Sequence, residues 1–498
     1  MLASNSSSSS SSSTTVNVKM ASDGVWQGEN PLDFALPLLA VQIAVILAVT
    51  QGLALALRPL RQPKVVAEIL GGILLGPSAL GRWGAFRRVI FPPWSTAALD
   101  TVSGLGLLLF LLLVGLELDF RAVRRAGPRS VAVAAAGIVP PFLAAPGLVL
   151  LLQLAIVPPP VPAFLPLCVF LGAALSVTAL PVLACILKEL GLLGTPLGET
   201  AMAAAAVNDV FAWALLALAL AVSGGSSGGG GPSPRATPLA PVYILASGAA
   251  FVALMLCALR PLMARLARRA GPERSAAAAL ASSPGAVVAC ALLSGAVTDA
   301  IGVHPVFGAF VFGLSVPRDG GLAERAREKV APLVSGLMLP LYFATSGLHT
   351  DVDAVRGAAA WGMAALIVAV AFLGKFGGTF VVATVTGMAR REAAALGVAM
   401  SAKGLVELIV LNIGKERKVR AGYLYFARWF LLINREHAFL QHAGDRVQVL
   451  DDTTFAIFVI MALTTTVLAT PFMTALYRST PTATTPETDG TELKGGHA

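Results

Sequence analysis

From Leu32 to Arg478 the sequence is a succession of apolar runs separated by short polar or basic connections. No other feature constrains the fold as strongly. A run of about 20 apolar residues matches the hydrocarbon thickness of a bilayer. Inside that layer every backbone N–H and C=O must find a partner within the protein, so such runs form helices. We place spans near 34–57, 65–81, 98–118, 130–154, 165–187, 199–222, 241–264, 277–299, 303–316, 331–348, 358–386, 393–413 and 453–476. The expectation is an all-α polytopic membrane protein of about thirteen transmembrane helices. The ninth run is short and reads as a tilted, broken or partly re-entrant element. Charged residues are 13% of the chain and hydrophobic ones 56%, a balance that excludes a soluble globular domain.

The net charge of +9 carries no nucleic-acid signal, because the Lys and Arg residues sit in short loops between apolar runs. There they set topology. With the N-terminus outside or luminal, inner loops hold nineteen basic residues and outer loops before the last hold five. The positive-inside rule therefore predicts a cytosolic C-terminus. Cys168, Cys185, Cys257 and Cys290 all fall in apolar runs and show no CxxC spacing, so they read as small buried hydrophobes. No metal or cofactor is expected. Residues 1–31 read as a disordered tail with a serine run from Ser6 to Ser13 and one sequon, Asn5-Ser6-Ser7. The Gly/Ser/Pro-rich stretch 223–240 reads as a flexible linker between six helices and seven. Residues 479–498 form a short polar tail.

Polar groups inside the apolar runs carry the chemistry. Asn208 and Asp209 stand side by side within the run Met202 to Val222. A carboxylate at such depth costs roughly 2.5–3.5 kcal/mol on insertion scales, so it faces a partner or a cavity. It is either a structural carboxylate paired to another helix or a binding site for a small cation or proton. Lys375, in Gly374-Lys375-Phe376-Gly377-Gly378, is too far from either end of its run to snorkel. Asp209 is its candidate partner; the alternative is a charge that compensates helix dipoles. Lys403, with Glu407 one turn on, reads as neutralising a half-helix end. Glu117 and Asp119 read as interfacial, Glu68 as lining a cytosolic funnel, and His304 as a loop residue.

An internal repeat joins these observations. Leu171 to Leu180 and Leu396 to Leu405 both fit L-G-x-A-[LM]-S-x-[TK]-x-L at a constant offset of 225. They lie in spans five and twelve, an odd number apart, and so cross the membrane in opposite directions. Inverted repeats of this kind mark secondary transporters. Each copy carries a helix breaker, Pro181 after Thr178 and Gly404 after Lys403. Two crossing discontinuous helices are expected, with their freed backbone groups facing a cavity or protein.

These motifs together resemble the monovalent cation:proton antiporters. Pro63 to Ser78 (PKVVAEILGGILLGPS) resembles the family's second-helix motif. Ser176 to Leu183 (SVTALPVL), Asn208-Asp209, Gly374-Lys375 and Lys403 to Gly414 (KGLVELIVLNIG) resemble its plant cation/proton exchanger branch. The match runs from about residue 32 to 478. The resemblance implies a sodium/proton antiporter fold, in which spans 1–3 and 8–10 form a scaffold and dimer domain and spans 4–6 and 11–13 a moving core. It implies a homodimer in a plasma or endomembrane bilayer, exchanging potassium, or sodium, for protons. By resemblance Asp209 binds the cation or proton beside Asn208, Thr178 sits at the first break, Lys375 in the core and Lys403 at the second break.

Two departures stand out. Family members carry a large cytosolic C-terminal region, whereas this chain stops some twenty residues past its last helix, which puts regulation in question. Residues 420–449 interrupt the loop before the last helix and read as a retained intron or a gene-model error. The alternative function is therefore a non-transporting truncated or mis-spliced isoform that at most dimerises with a full-length transporter. An intramembrane aspartyl protease is disfavoured: outside the tail the only Gly-Asp pair is Gly444-Asp445, within that insert. An ion channel fits broken inverted repeats with a core lysine less well than an antiporter.

Overall fold

A computed structural model of the chain describes residues 20–60, 62–117, 127–155, 164–192, 194–222, 240–269, 284–317, 322–416, 418–420 and 446–477. Asp119, the serine run, residues 223–239, residues 421–445 and the polar C-terminal tail lie outside the described residues.

Among the described residues each apolar run is helical over most of its length. In order the helices are α1 (Ala35–Leu57), α2 (Lys64–Leu75), α3 (Gly84–Ile90), α4 (Thr96–Glu117), α5 (Gly127–Ala155), α6 (Phe164–Ser176), α7 (Leu180–Glu189) and α8 (Pro196–Val222). There follow α9 (Ala240–Ala253), a π-turn at Leu254–Leu259, α10 (Arg260–Arg269), α11 (Pro284–Ile301) and α12 (Pro305–Ser315). Next come α13 (Leu322–Leu333), a second π-turn at Val334–Met338, α14 (Leu339–Leu348) and α15 (Gly357–Val385). The last are α16 (Arg390–Met400), α17 (Leu405–Glu416) and α18 (Asp452–Tyr477). Among the described residues, eight helical stretches are long and apolar enough to cross a membrane, and shorter apolar helices such as Phe164–Ser176 and Pro305–Ser315 lie among them.

Packing divides the helices into two groups. α1, α2, α4 and α11–α14 pack on one another, and α5–α8 with α15–α18 pack on one another. The groups meet where α2 touches α18 and where the turn Val352–Ala354 touches α18. Contacts inside each group are close because small residues let backbones approach. A Cβ on Gly72 of α2 would collide with the Ala344 carbonyl of α14, and a Cβ on Gly378 of α15 with the Ala136 carbonyl of α5.

Spans five and twelve are each split in two. α6 stops at Ser176 and α7 starts at Leu180; α16 stops at Met400 and α17 starts at Leu405. The restart residues are 225 apart, the offset of the sequence repeat. Pro181 therefore lies in the first turn of α7 and not in the gap. A helix start tolerates proline there, because the first N–H groups have no intrahelical acceptor. Gly404 is the last residue of its gap and accepts the amide of Leu408. Its α-carbon faces the first copy, where an added Cβ would lie 2.8 Å from Val182 Cγ2. Short strands β1 (Lys418–Arg420) and β2 (Arg446–Gln448) pair antiparallel, so the two ends of the atypical insert lie side by side.

Candidate ion-binding site

The two gaps cross each other. The peptide N–H of Ala179 donates to the carbonyl of Ala402 at 3.3 Å. Thr178 Oγ1 donates to the carbonyl of Met400 at 2.8 Å, and Lys403 Nζ to the carbonyl of Leu175 at 2.9 Å. Residues 178 and 403 are equivalent in the repeat, as are 175 and 400. Each copy thus reaches the same carbonyl of the other, the reciprocity of a two-fold contact. This pair of bonds turns the repeat in the sequence into a symmetric junction in space.

Ending α6 at Ser176 leaves its last carbonyls without intrahelical donors. Lys403 donates to Ala174 at 2.6 Å as well as to Leu175, with Val177 at 3.5 Å. Lys375, from α15, donates to the carbonyl of Ser176. Two ammonium groups therefore cover the negative end of one half-helix, where the macrodipole favours positive charge. Lys403 sits at the second break, but the end it neutralises belongs to the first copy. Its own carbonyl accepts from Thr466 Oγ1 of α18 at 2.6 Å.

Asn208 of α8 brackets the first gap. Its Oδ1 accepts the N–H of Thr178 at 3.0 Å, and its Nδ2 donates to the carbonyl of Ser176 at 3.2 Å. Both amide faces are used, so the side chain is held in one orientation. Next to it Asp209 is 1% exposed. Its Oδ1 has no hydrogen-bond partner. Among the described residues no ion pair joins Lys375 to Asp209, so of the two readings the sequence left open the direct pairing is not formed. The Lys375 ammonium is instead spent on a backbone carbonyl, within electrostatic range of Asp209 and Glu407. A buried carboxylate oxygen without a donor is a strong attractor for a proton or a small cation.

Glu407, in the first turn of α17, is fully buried and lies 3.6 Å from Lys403 Nζ. Neither of its oxygens accepts a hydrogen bond, because the donors of Lys403 point at α6 carbonyls. Two polar residues outside the junction have structural partners. Glu117 pairs with Arg327 at 3.1 Å. His304 is the N-cap of α12, its Nδ1 accepting from the amide of Val306. Glu68 is buried in α2. Two participants carried no clear signal in the sequence. The Ser176 carbonyl is backbone, and Thr466 stands out only as the last of three consecutive threonines in an apolar helix.

The junction of broken helices, buried lysines and two carboxylates with undonated oxygens, only one of them ion-paired, agrees with what the chain resembles. The family model described as sodium/hydrogen exchanger, transmembrane, matches residues 44–478. Cation/H(+) antiporter 20 of Arabidopsis thaliana is 50% identical over 463 residues, 93% of this chain and 51% of that protein. Na(+)/H(+) antiporter NhaS4 of Synechocystis sp. is 31% identical over 444 residues, 89% of this chain and 98% of that protein. The solved structure of the sodium proton antiporter MjNhaP1 from Methanocaldococcus jannaschii has the same fold, with a TM-score of 0.59 at 15% identity over 89% of this chain and 98% of that one. The chain spans about half the length of the curated plant relatives it matches.

Proposed function

The chain belongs to the transmembrane sodium/hydrogen exchanger family, in its plant-type cation/proton exchanger branch, and from that premise we propose that it exchanges a monovalent cation for protons across a membrane, with potassium ahead of sodium. The observation that carries this reading is the buried, undonated oxygen of Asp209 beside the crossed breaks. Ionised, Asp209 holds a cation; protonated, it holds none. One carboxylate cannot serve both ligands at once, so each flux requires the other. Asn208 and Thr178 shape the first break around it. Lys375 and Lys403 balance the half-helix end, so that the exchangeable charge is the one on Asp209.

The remaining readings complete the proposal. Thirteen crossings, an outer N-terminus and a cytosolic C-terminus follow from the apolar runs and the basic loops. The α5–α8 and α15–α18 group moves past the other, which forms the scaffold of a homodimer in a plasma or internal membrane. Residues 223–240 link the two halves, and residues 420–449 are an insert whose two ends are paired by β1 and β2. The activity is transport, with no resident cofactor.

The test is direct. Purified protein is placed in liposomes with an internal pH dye, and potassium, sodium, lithium or rubidium is added outside. Wild type is expected to release protons in response, most strongly to potassium. Asp209→Asn is expected to insert and fold but give no signal. Full cation-driven proton movement in that variant overturns the mechanism; a larger sodium response reverses the cation ranking.

A further inference from the structure

The two helix groups are tied together at one end by contacts that the junction does not use. Asn412 of α17 donates through Nδ2 to the phenolic oxygen of Tyr342 at 2.8 Å and to Ser346 Oγ at 3.1 Å, both on α14. Ser346 Oγ lies 3.4 Å from Asn412 Oδ1. One turn further along α17, Lys415 Nζ donates to the carbonyl of His349, the C-cap of α14, at 3.1 Å. Lys415 also pairs with Asp452 Oδ1 at 2.9 Å and lies 4.5 Å from the Phe455 ring centroid. His349 in turn approaches Asp100 of α4, with Nε2 3.4 Å from Oδ1. Elsewhere Gln62 Nε2, ahead of α2, reaches the Val467 carbonyl of α18 at a longer 3.4 Å.

Three physical features make the first set reversible. The hydrogen bonds from Asn412 join neutral groups, which part at lower cost than charged pairs. The charge of Lys415 is matched by Asp452 and Phe455, both on α18 and therefore in its own helix group. Separation would cost Lys415 only a backbone acceptor and leave no bare charge. Finally, α17 is a rigid half-helix that starts at the second break, so any displacement of the junction is carried straight to Asn412 and Lys415.

We propose that Asn412 and Lys415, against Tyr342, Ser346 and the His349 carbonyl, form a latch that closes the ion route at the α14 C-terminal end and opens once in each exchange cycle. The inference rests on the exchange reading above, since only alternating access requires the two groups to part. It assigns to Asn412 a gating role distinct from ion binding.

The test uses the full chain in liposomes, with Lys415→Cys and His349→Cys combined. A short bis-methanethiosulfonate reagent bridges the two thiols. Bridging is expected to stop cation-driven proton movement, and dithiothreitol to restore it, while treatment leaves each single variant at the rate that variant shows before treatment. Bridged protein, verified by mass, that exchanges at the unbridged rate overturns the latch, and so does failure of the thiols to bridge. Independently, Asn412→Ala is expected to speed amide hydrogen exchange across residues 339–348 and 405–416; unchanged protection there also overturns it. A folded wild type that moves no protons with any of the cations overturns the exchange reading itself, and does so without either variant.

Discussion

At the first break, the carbonyls that end α6 receive two ammonium groups, from Lys403 and Lys375. At the second, the carbonyls around the end of α16 receive a threonine hydroxyl and a peptide N–H, from Thr178 and Ala179. The backbones are equivalent residue for residue, but the chemistry is not. Thr178 stands where Lys403 stands, and Val182 where Glu407 stands. The second copy therefore supplies a complete buried ion pair, and the first copy supplies none. That difference teaches how a symmetric fold hosts an asymmetric task. The ionisable side chains are concentrated in one repeat, and its lysine is directed at the other. The first gap, bracketed by Asn208, carries no charged side chain of its own, and Asp209 follows Asn208 on α8 without an ion pair among the described residues.

The comparison can be broken by making the two copies alike. Lys403→Thr leaves the Ala174 and Leu175 carbonyls without their lysine donor and Glu407 without its paired cation. Removing one partner of a buried pair costs about 3–5 kcal/mol, so a large fall in the unfolding midpoint in detergent is expected, along with loss of exchange. Adding Glu407→Val removes the stranded carboxylate and should recover part of that stability without recovering exchange. If the double variant transports, the asymmetry is not needed for function.

A smaller effect is expected at the bracket. Asn208→Ala removes two hydrogen bonds at the first gap, at about 1–2 kcal/mol in total given the modest worth of interhelical bonds in membranes. Its sharper consequence is on transport: the cation concentration for half-maximal proton release should rise, because the gap beside Asp209 is no longer held. The smallest effect is expected for Thr178→Val, which loses one bond to Met400, at most about 1.7 kcal/mol. Its unfolding midpoint should drop far less than that of Lys403→Thr, even though the two residues are equivalent. Equal losses would mean that symmetry, and not charge, governs the junction.

Much of this was legible before any coordinates. Among the described residues the apolar runs are mostly helical, because lipid leaves the backbone no other way to satisfy itself. The repeat announced two matched breaks, and the residues named for the site, Thr178, Asn208, Asp209, Lys375, Lys403 and Gly404, gather at one junction. Pro181 pointed slightly downstream of the first gap, since proline suits the start of a half-helix better than the gap before it. The partners of the lysines were not legible. For Lys375 the sequence leaves two readings open, a partner of Asp209 or a charge on a half-helix end; the structure places it on the Ser176 carbonyl, as the second reading has it. A backbone acceptor has no signature in a sequence, because every residue carries one. Thr466 and the Asn412 contacts were hidden for a related reason: single polar residues in apolar helices gain meaning only from what faces them.

Taken alone, the sequence determined the class of environment, the order of the helices, the internal repeat and the stock of buried charges. These depend on properties that each residue or short window carries with it. Only the tertiary structure decided that Lys403 serves the opposite copy, that Asp209 keeps an oxygen without a donor and that α17 bonds α14 at one end. Those outcomes depend on which carbonyls and donors are left over once the two broken helices cross. That remainder belongs to the packed arrangement as a whole, and no local stretch of the chain encodes it.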